Sequence, residues 1–180
     1  MSGSVDEILV GANGDVFVAN PGSTVPTDPT TAYSSAWTKL GLVSENGATV
    51  TDTKTMITIP AWQLFYPARR IITARDFTVA FALREWSGTA IKFAFGGGTI
   101  TGNKYTPPSP DTIDERMLGL DWADGSKHYR LIVNLGMVTD NVATQLHRGA
   151  AADLPITFGI IGVAGSDPWS MLTDDPSFAS

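Results

Sequence analysis

Residues 75–98, RDFTVAFALREWSGTAIKFAFGGG, constrain the fold more than any other stretch of the chain. Phe77, Val79, Phe81 and Leu83 alternate with Thr78, Ala80, Ala82 and Arg84, the period-two pattern of a strand that turns its larger side chains to one face. A central core strand is predicted here. The continuation has two readings. In one, Ser87 caps a short helix over about residues 87–95 that Gly96 ends, with Ile91, Ala94 and Phe95 on one face; in the other, Ile91, Phe93 and Phe95 alternate as a further strand. A helix of about two turns is marginal in water by itself, so it would have to dock on the sheet.

A chain of 180 residues is long enough for one domain with a sizeable core and short for two. Charged residues are only 17% of it, whereas strand-forming apolar residues recur in short runs between glycines, prolines and threonines, which favours a mainly β domain over a helical bundle. With no cysteine there is no disulfide and no thiolate metal site. No basic segment followed by an apolar run opens the chain and no apolar stretch reaches membrane-spanning length, so a soluble protein made without a secretion signal is expected. The net charge of −6 divides as −4 over residues 1–38, +2 over the middle and −4 over residues 149–180. Such a chain is poorly suited to grip nucleic-acid phosphates, since that affinity comes from Lys and Arg displacing counterions. It suits a surface along which DNA slides without sticking, or simply one that keeps the protein in solution.

Along the chain, residues 7–10 and 16–19 flank Asn13-Gly14 and predict a first hairpin. Residues 20–31, with three prolines, predict a loop or extended arm. Residues 37–43 predict a strand and Asn46-Gly47 the next turn; residues 48–59, dominated by threonine, are strand-capable but only weakly amphipathic, as in an exposed loop or hairpin. In PAWQLFYPARR, residues 60–70, the aromatics sit between Pro60 and Pro67, which discourage a long regular element. This cluster is either a loop folded over the core or an anchor inserted into a neighbouring subunit, formed by Trp62, Leu64, Phe65, Tyr66, Arg69 and Arg70, because aromatics and Arg are enriched at interface hot spots. Residues 99–114 read as a polar, proline-rich loop. The clearest hairpin flanks Asp124-Gly125, with Leu118, Leu120 and Trp122 alternating on one strand and Tyr129, Leu131, Val133 and Leu135 on the other. Residues 154–163 predict a buried final strand. Residues 164–180 are acidic and turn-rich, a tail separate from the β domain of residues 1–163 that is disordered alone or ordered by a partner.

The order of these features, a hairpin, then WTKLGLVSENG at residues 37–47, then the Phe77 strand with its FAFGGG helix, resembles the tail tube (major tail) proteins of long-tailed bacteriophages, most closely the siphophage type infecting actinobacteria. The resemblance implies a single-domain β-sandwich or partly open barrel with one short α-helix, extended loops and terminal arms. It further implies a virion protein with no cofactor, assembled in the host cytoplasm into hexameric rings that stack into a tube around a tape-measure protein, with tip proteins at the base and a terminator at the far end. Double-stranded DNA then passes through the lumen, whose wall is a continuous β-barrel. Stacking of the acidic termini on the more basic middle of the next ring is a further expectation from the charge distribution.

Enzymatic readings find little support. GGTITGNK, residues 97–104, lacks the lysine directly after the second glycine that a phosphate loop needs. Asp111, Asp114 and Glu115 are loop acids beside Arg116, more simply solvated than catalytic or cation-binding. His128 and His147 show no zinc spacing, and no serine lies in a GxSxG elbow. Arg69, Arg70 and Arg75 form the densest basic cluster and are expected in salt bridges within or between subunits, not on single-stranded nucleic acid. The alternative to a structural subunit is a monomeric β-sandwich binding carbohydrate or another ligand, with Trp62, Tyr66 and Trp122 as stacking platforms.

Overall fold

Strand pairing in this chain is antiparallel throughout and mostly non-local. The computed structural model describes residues 8–178. Its main sheet runs in the order β2 (Thr38–Lys39), β1 (Asn13–Ala19), β7 (Arg116–Asp124), β8 (Lys127–Val138), β9 (Leu154–Ile160), β4 (Arg69–Leu83), β3 (Val43–Ile59). An eighth strand, β10 (Trp169–Thr173), also pairs with β8, and β5 (Thr99–Thr101) and β6 (Lys104–Thr106) form a small separate hairpin. The sheet curls over its own apolar face without closing into a barrel. The predicted alternation of Val79, Phe81 and Leu83 is the reason: these side chains are buried against Val16 and Val18 of β1, Leu118 and Leu120 of β7, and Leu154, Ile156 and Phe158 of β9. The mainly β architecture with one α-helix is therefore as expected from the sequence.

The two readings of residues 87–95 resolve to a helix, α1 (Gly88–Ala94). Ser87 is extended and its hydroxyl accepts from the Ala90 N–H at 3.2 Å, while Gly96 and Gly97, at φ 69° and 110°, take the chain out of the last turn. The buried face is Ala90, Phe93 and Ala94 rather than Ile91, Ala94 and Phe95, because Phe93 has to reach Phe158, 5.8 Å away between ring centroids.

Four local expectations are corrected. Asn13-Gly14 is not a turn; both residues lie in β1, opposite Ala123 and Trp122, and the expected partner run at residues 8–10 is outside any strand, with Glu7 outside the described residues. Gly14 serves close strand approach, since a Cβ there would lie 3.0 Å from the Asp121 carbonyl oxygen. Asn46-Gly47 does not end a strand either; it forms a bulge inside β3, where the register with β4 shifts between Val43 and Ala48. The β7–β8 hairpin forms from the two predicted alternating strands, with facing pairs Leu118–Val133, Leu120–Leu131 and Trp122–Tyr129, but Asp124 still pairs with Lys127, so the turn is Gly125-Ser126 rather than Asp124-Gly125. Residues 99–106, expected within a polar loop, instead form β5, the Gly102 turn and β6.

Residues 20–31 form a loop, as expected, which runs on to residue 37, so the strand expected over residues 37–43 shrinks to the two residues of β2; the loop is structured and covers the outer face of β1, β7 and β8. Tyr33 stacks on Phe17 at 4.2 Å, and Trp37 Nε1 donates to the Thr24 carbonyl at 2.9 Å. Beneath them Arg130, nearly wholly buried, donates to both carboxylate oxygens of Asp121 at 2.9 and 2.7 Å and to the carbonyls of Asp28 and Thr31 at 2.9 and 2.8 Å. Burial, and then the hydrogen bond to Asp121, pushes the Tyr33 phenol far above its ordinary range, so it stays a neutral donor.

The segment after residue 164 is already paired within its own chain: Trp169 to Thr173 lie opposite Val133 to Tyr129 of β8. Asp174 accepts from the His128 N–H at 2.7 Å, and the Asp175 carboxylate accepts from the Tyr129 hydroxyl at 2.7 Å with Lys127 Nζ 3.0 Å away. The Tyr129 hydroxyl foremost, with the Ser177 N–H and Lys127, holds the Asp175 carboxyl well below its ordinary 3.8, and the same bond pushes the Tyr129 phenol up to about 12. A carboxyl whose pKa is lowered by folding contributes stability above its unfolded value and loses it as the pH falls through the folded one. Thermal unfolding is accordingly expected to be insensitive to pH near neutrality and to drop below about pH 4. Asp175→Asn should lower stability at pH 7 and flatten that acid drop; an unchanged drop in the variant would place the acid sensitivity elsewhere.

Candidate functional site

Threonine favours extended backbone, and it recurs at residues 49, 51, 53, 55 and 58 with Val50, Asp52, Lys54, Met56, Ile57 and Ile59 between, so the strand has no dedicated apolar face. The result is a strand exposed on both faces over this stretch. β4 has β9 as its second neighbour only from Thr78 to Leu83; from Arg69 to Phe77 it pairs with β3 alone. These nine residues and their β3 partners form a two-stranded arm roughly 30 Å long at ~3.4 Å per residue. A register shift between Thr55 and Met56 leaves Thr73 as the extra residue, with its hydroxyl donating to the Thr55 carbonyl at 3.2 Å. Beyond it the consecutive pairs Met56–Ile72 and Ile57–Ile71 lie on opposite faces of the ribbon, and all four side chains are exposed.

The arm ends in the residues 60–68 that join β3 to β4. Pro60 and Pro67 break the ladder, and Leu64 N–H donates to the Ala61 carbonyl at 3.0 Å to close a turn. Trp62 and Phe65 are fully exposed, at 100% and 107%, with Tyr66 and Leu64 also exposed beside them. The reading of this cluster as a loop folded over the core is thus overturned. Monomeric proteins rarely expose so contiguous an apolar surface, and such patches mark interaction sites. Arg69 and Arg70 begin β4 directly under the tip; among the described residues neither they nor Arg75 lies within ion-pair distance of a carboxylate. Of the two expected alternatives, salt bridges within the chain are not formed among the described residues, and those between subunits remain. A second feature accompanies the arm: β3, 17 residues long, is the terminal strand of the sheet, whereas the opposite terminus is the two-residue β2. Long unpaired edges invite strand addition by another chain.

Other expected sites do not come together. Trp122 is stacked on Tyr129 at 5.5 Å within the sheet, while Trp62 and Tyr66 lie at the tip, so no shared stacking platform exists. Asp114 binds Arg116 at 2.8 Å. The terminal acids are largely engaged in their own chain: Asp15 with Lys39, Asp153 with Arg84, Asp174 and Asp175 with β8. This charge is less available to a neighbouring ring than the sequence implied. No described helix is long and apolar enough to cross a membrane.

A family model for phage tail tube protein matches residues 1–180. The chain belongs to that family. It is a structural component of the phage virion, assembled into the tail tube, and its family is not an enzyme family. No match was found among curated proteins. For a tail tube protein, the exposed arm and the long open edge of β3 are the features that require a partner. The expectation of an exposed loop or hairpin over residues 48–59 holds for the β3 half of the arm, while the β4 half at residues 69–76 carried no periodic signal because the arm buries neither face.

Proposed function

We propose that this tail tube protein, of the siphophage type, forms hexameric rings that stack into a hollow tube through which double-stranded DNA is ejected. The observation that carries the reading is the arm: a two-stranded ribbon with apolar residues on both faces and a fully exposed aromatic tip, an apolar surface that only other subunits can cover. A heterologous contact between the β3 edge of one copy and the short β1–β2 edge of the next repeats around an axis and closes when the rotation fits. Trp62, Leu64, Phe65, Tyr66, Arg69 and Arg70 form the subunit contact. In this reading residues 1–163 are the β domain that builds the wall, and of the acidic segment 164–180 the described part, residues 164–178, is held beside the root of the arm, where Trp169 stacks on Phe77 at 4.7 Å. The net charge of −6 favours a wall that repels DNA rather than holds it. Assembly takes place in the host cytoplasm around a tape-measure protein, between tip proteins and a terminator.

Negative-stain electron microscopy over a concentration series, paired with light scattering, tests this. Rings or tubes about three domain diameters across, on the order of 100 Å, are expected. A strictly monomeric species even in the presence of tape-measure and tip proteins would overturn the reading.

A further inference from the structure

The two ends of the β3–β4 hairpin differ in chemistry. At one end is the tip, with Trp62, Phe65 and Tyr66 exposed above Arg69 and Arg70. At the other, some 50 Å away along the 15 residues of β4 at ~3.4 Å each, Leu42 precedes the first residue of β3 and Trp86 follows three residues after the last of β4. Both are exposed, Leu42 at 67% and Trp86 at 43%, and Trp86 is fixed in place by its Nε1 donating to the Ala152 carbonyl at 2.8 Å. Acids surround them. Arg84 lies 3.2 Å from Asp153 and 3.5 Å from Glu45, and the Glu85 side chain sits so close over Gly41 that a Cβ there would strike it. Three carboxylates against one guanidinium leave this pole at −2, opposite in sign and equal in size to the +2 of Arg69 and Arg70.

We propose that the tip of one copy seats on the Leu42–Trp86 pole of a second copy, its aromatics on the exposed apolar side chains and Arg69 and Arg70 facing Glu45 and Glu85. The occupant is chosen by complementarity: the tip is apolar and cationic, the pole apolar and anionic, and both belong to one hairpin. Because donor and acceptor lie at opposite ends of the molecule, the contact is heterologous and does not close, so it propagates copy after copy along the strand direction. The inference rests on the tube reading for its setting, as the contact between successive rings, and replaces stacking through the acidic termini.

The chain has no cysteine, so single introduced cysteines report one site each. Gln63→Cys, beside the tip aromatics, and Asn46→Cys, beside Glu45, replace exposed side chains outside the proposed contact and are expected to keep the circular dichroism and melting curve of the parent. Mixed and treated with a short bismaleimide, the two variants should give a covalent dimer, and neither alone should. The second arm uses charge: Arg69→Glu/Arg70→Glu should abolish elongation, and mixing it with Glu45→Arg/Glu85→Arg should restore contact between the unlike copies. Tubes that form with no tip-to-pole cross-link overturn the inference and leave the tube reading intact. Cross-linked dimers without rings or tubes support the inference and count against the tube. Neither cross-link nor polymer sinks both.

Discussion

Trp62→Ala/Phe65→Ala is expected to abolish assembly and to leave a folded, monodisperse monomer. Both side chains are fully exposed in the single chain, so their removal touches no core contact and should change unfolding free energy by no more than ~0.5 kcal/mol. In an interface, by contrast, central aromatic anchors cost about 2 kcal/mol or more each when truncated. Two of them therefore weaken each contact by about 4 kcal/mol, on the order of a thousandfold. In a polymer that loss recurs at every subunit, and elongation stops at concentrations where the parent forms tubes. Sedimentation velocity together with a thermal melt separates the outcomes. Loss of the melting transition would return residues 60–70 to the core; assembly at the parent's concentration would remove the tip from the interface.

The largest effect on stability is expected from Arg130→Ala. Its guanidinium is buried, bonded to both oxygens of Asp121, bonded to two carbonyls of the covering loop, and placed 4.3 Å over the Tyr33 ring. Deleting it leaves the Asp121 carboxylate, three-quarters covered, without its countercharge and frees the loop of residues 20–37. Breaking one partner of a buried pair typically costs about 3–5 kcal/mol. For a domain of this size that corresponds to a fall in melting temperature on the order of 10 °C. Arg130→Lys should recover only part of the loss, because an ammonium cannot reproduce the planar fork that reaches Asp121 and the carbonyls at once. Removing both charges with Arg130→Met/Asp121→Leu should cost less than Arg130→Ala, which distinguishes an orphaned charge from lost packing. Equal losses in the single and double variants would make packing the cause.

Much of this protein was legible in its sequence where short-range chemistry decides the outcome. The alternation from Phe77 to Leu83 defined a core face because period two leaves no other way to bury three large side chains together. Ser87 and Gly96 supplied the cap and the stop of one of two readings of residues 87–95, and packing of Phe93 on Phe158 decided for the helix over the strand. The alternating apolar faces of β7 and β8 were legible, but their register was not, since pairing of Asp124 with Lys127 shifts it by two residues from that of an Asp124-Gly125 turn. Tertiary structure alone decided the rest. Asn-Gly is a turn signal at residues 13–14 and 46–47, yet one pair lies in a strand and the other in a bulge, since pairing with strands about a hundred and about thirty-five residues away outweighs a turn preference. Arg130 could not be assigned to the loop it holds, because its carbonyl partners lie 99 and 102 residues distant. The aromatic cluster was visible as composition, but whether it faced the core or solvent depended on where β9 stops covering β4, and that limit is set by three-dimensional pairing, not by any residue in the cluster itself.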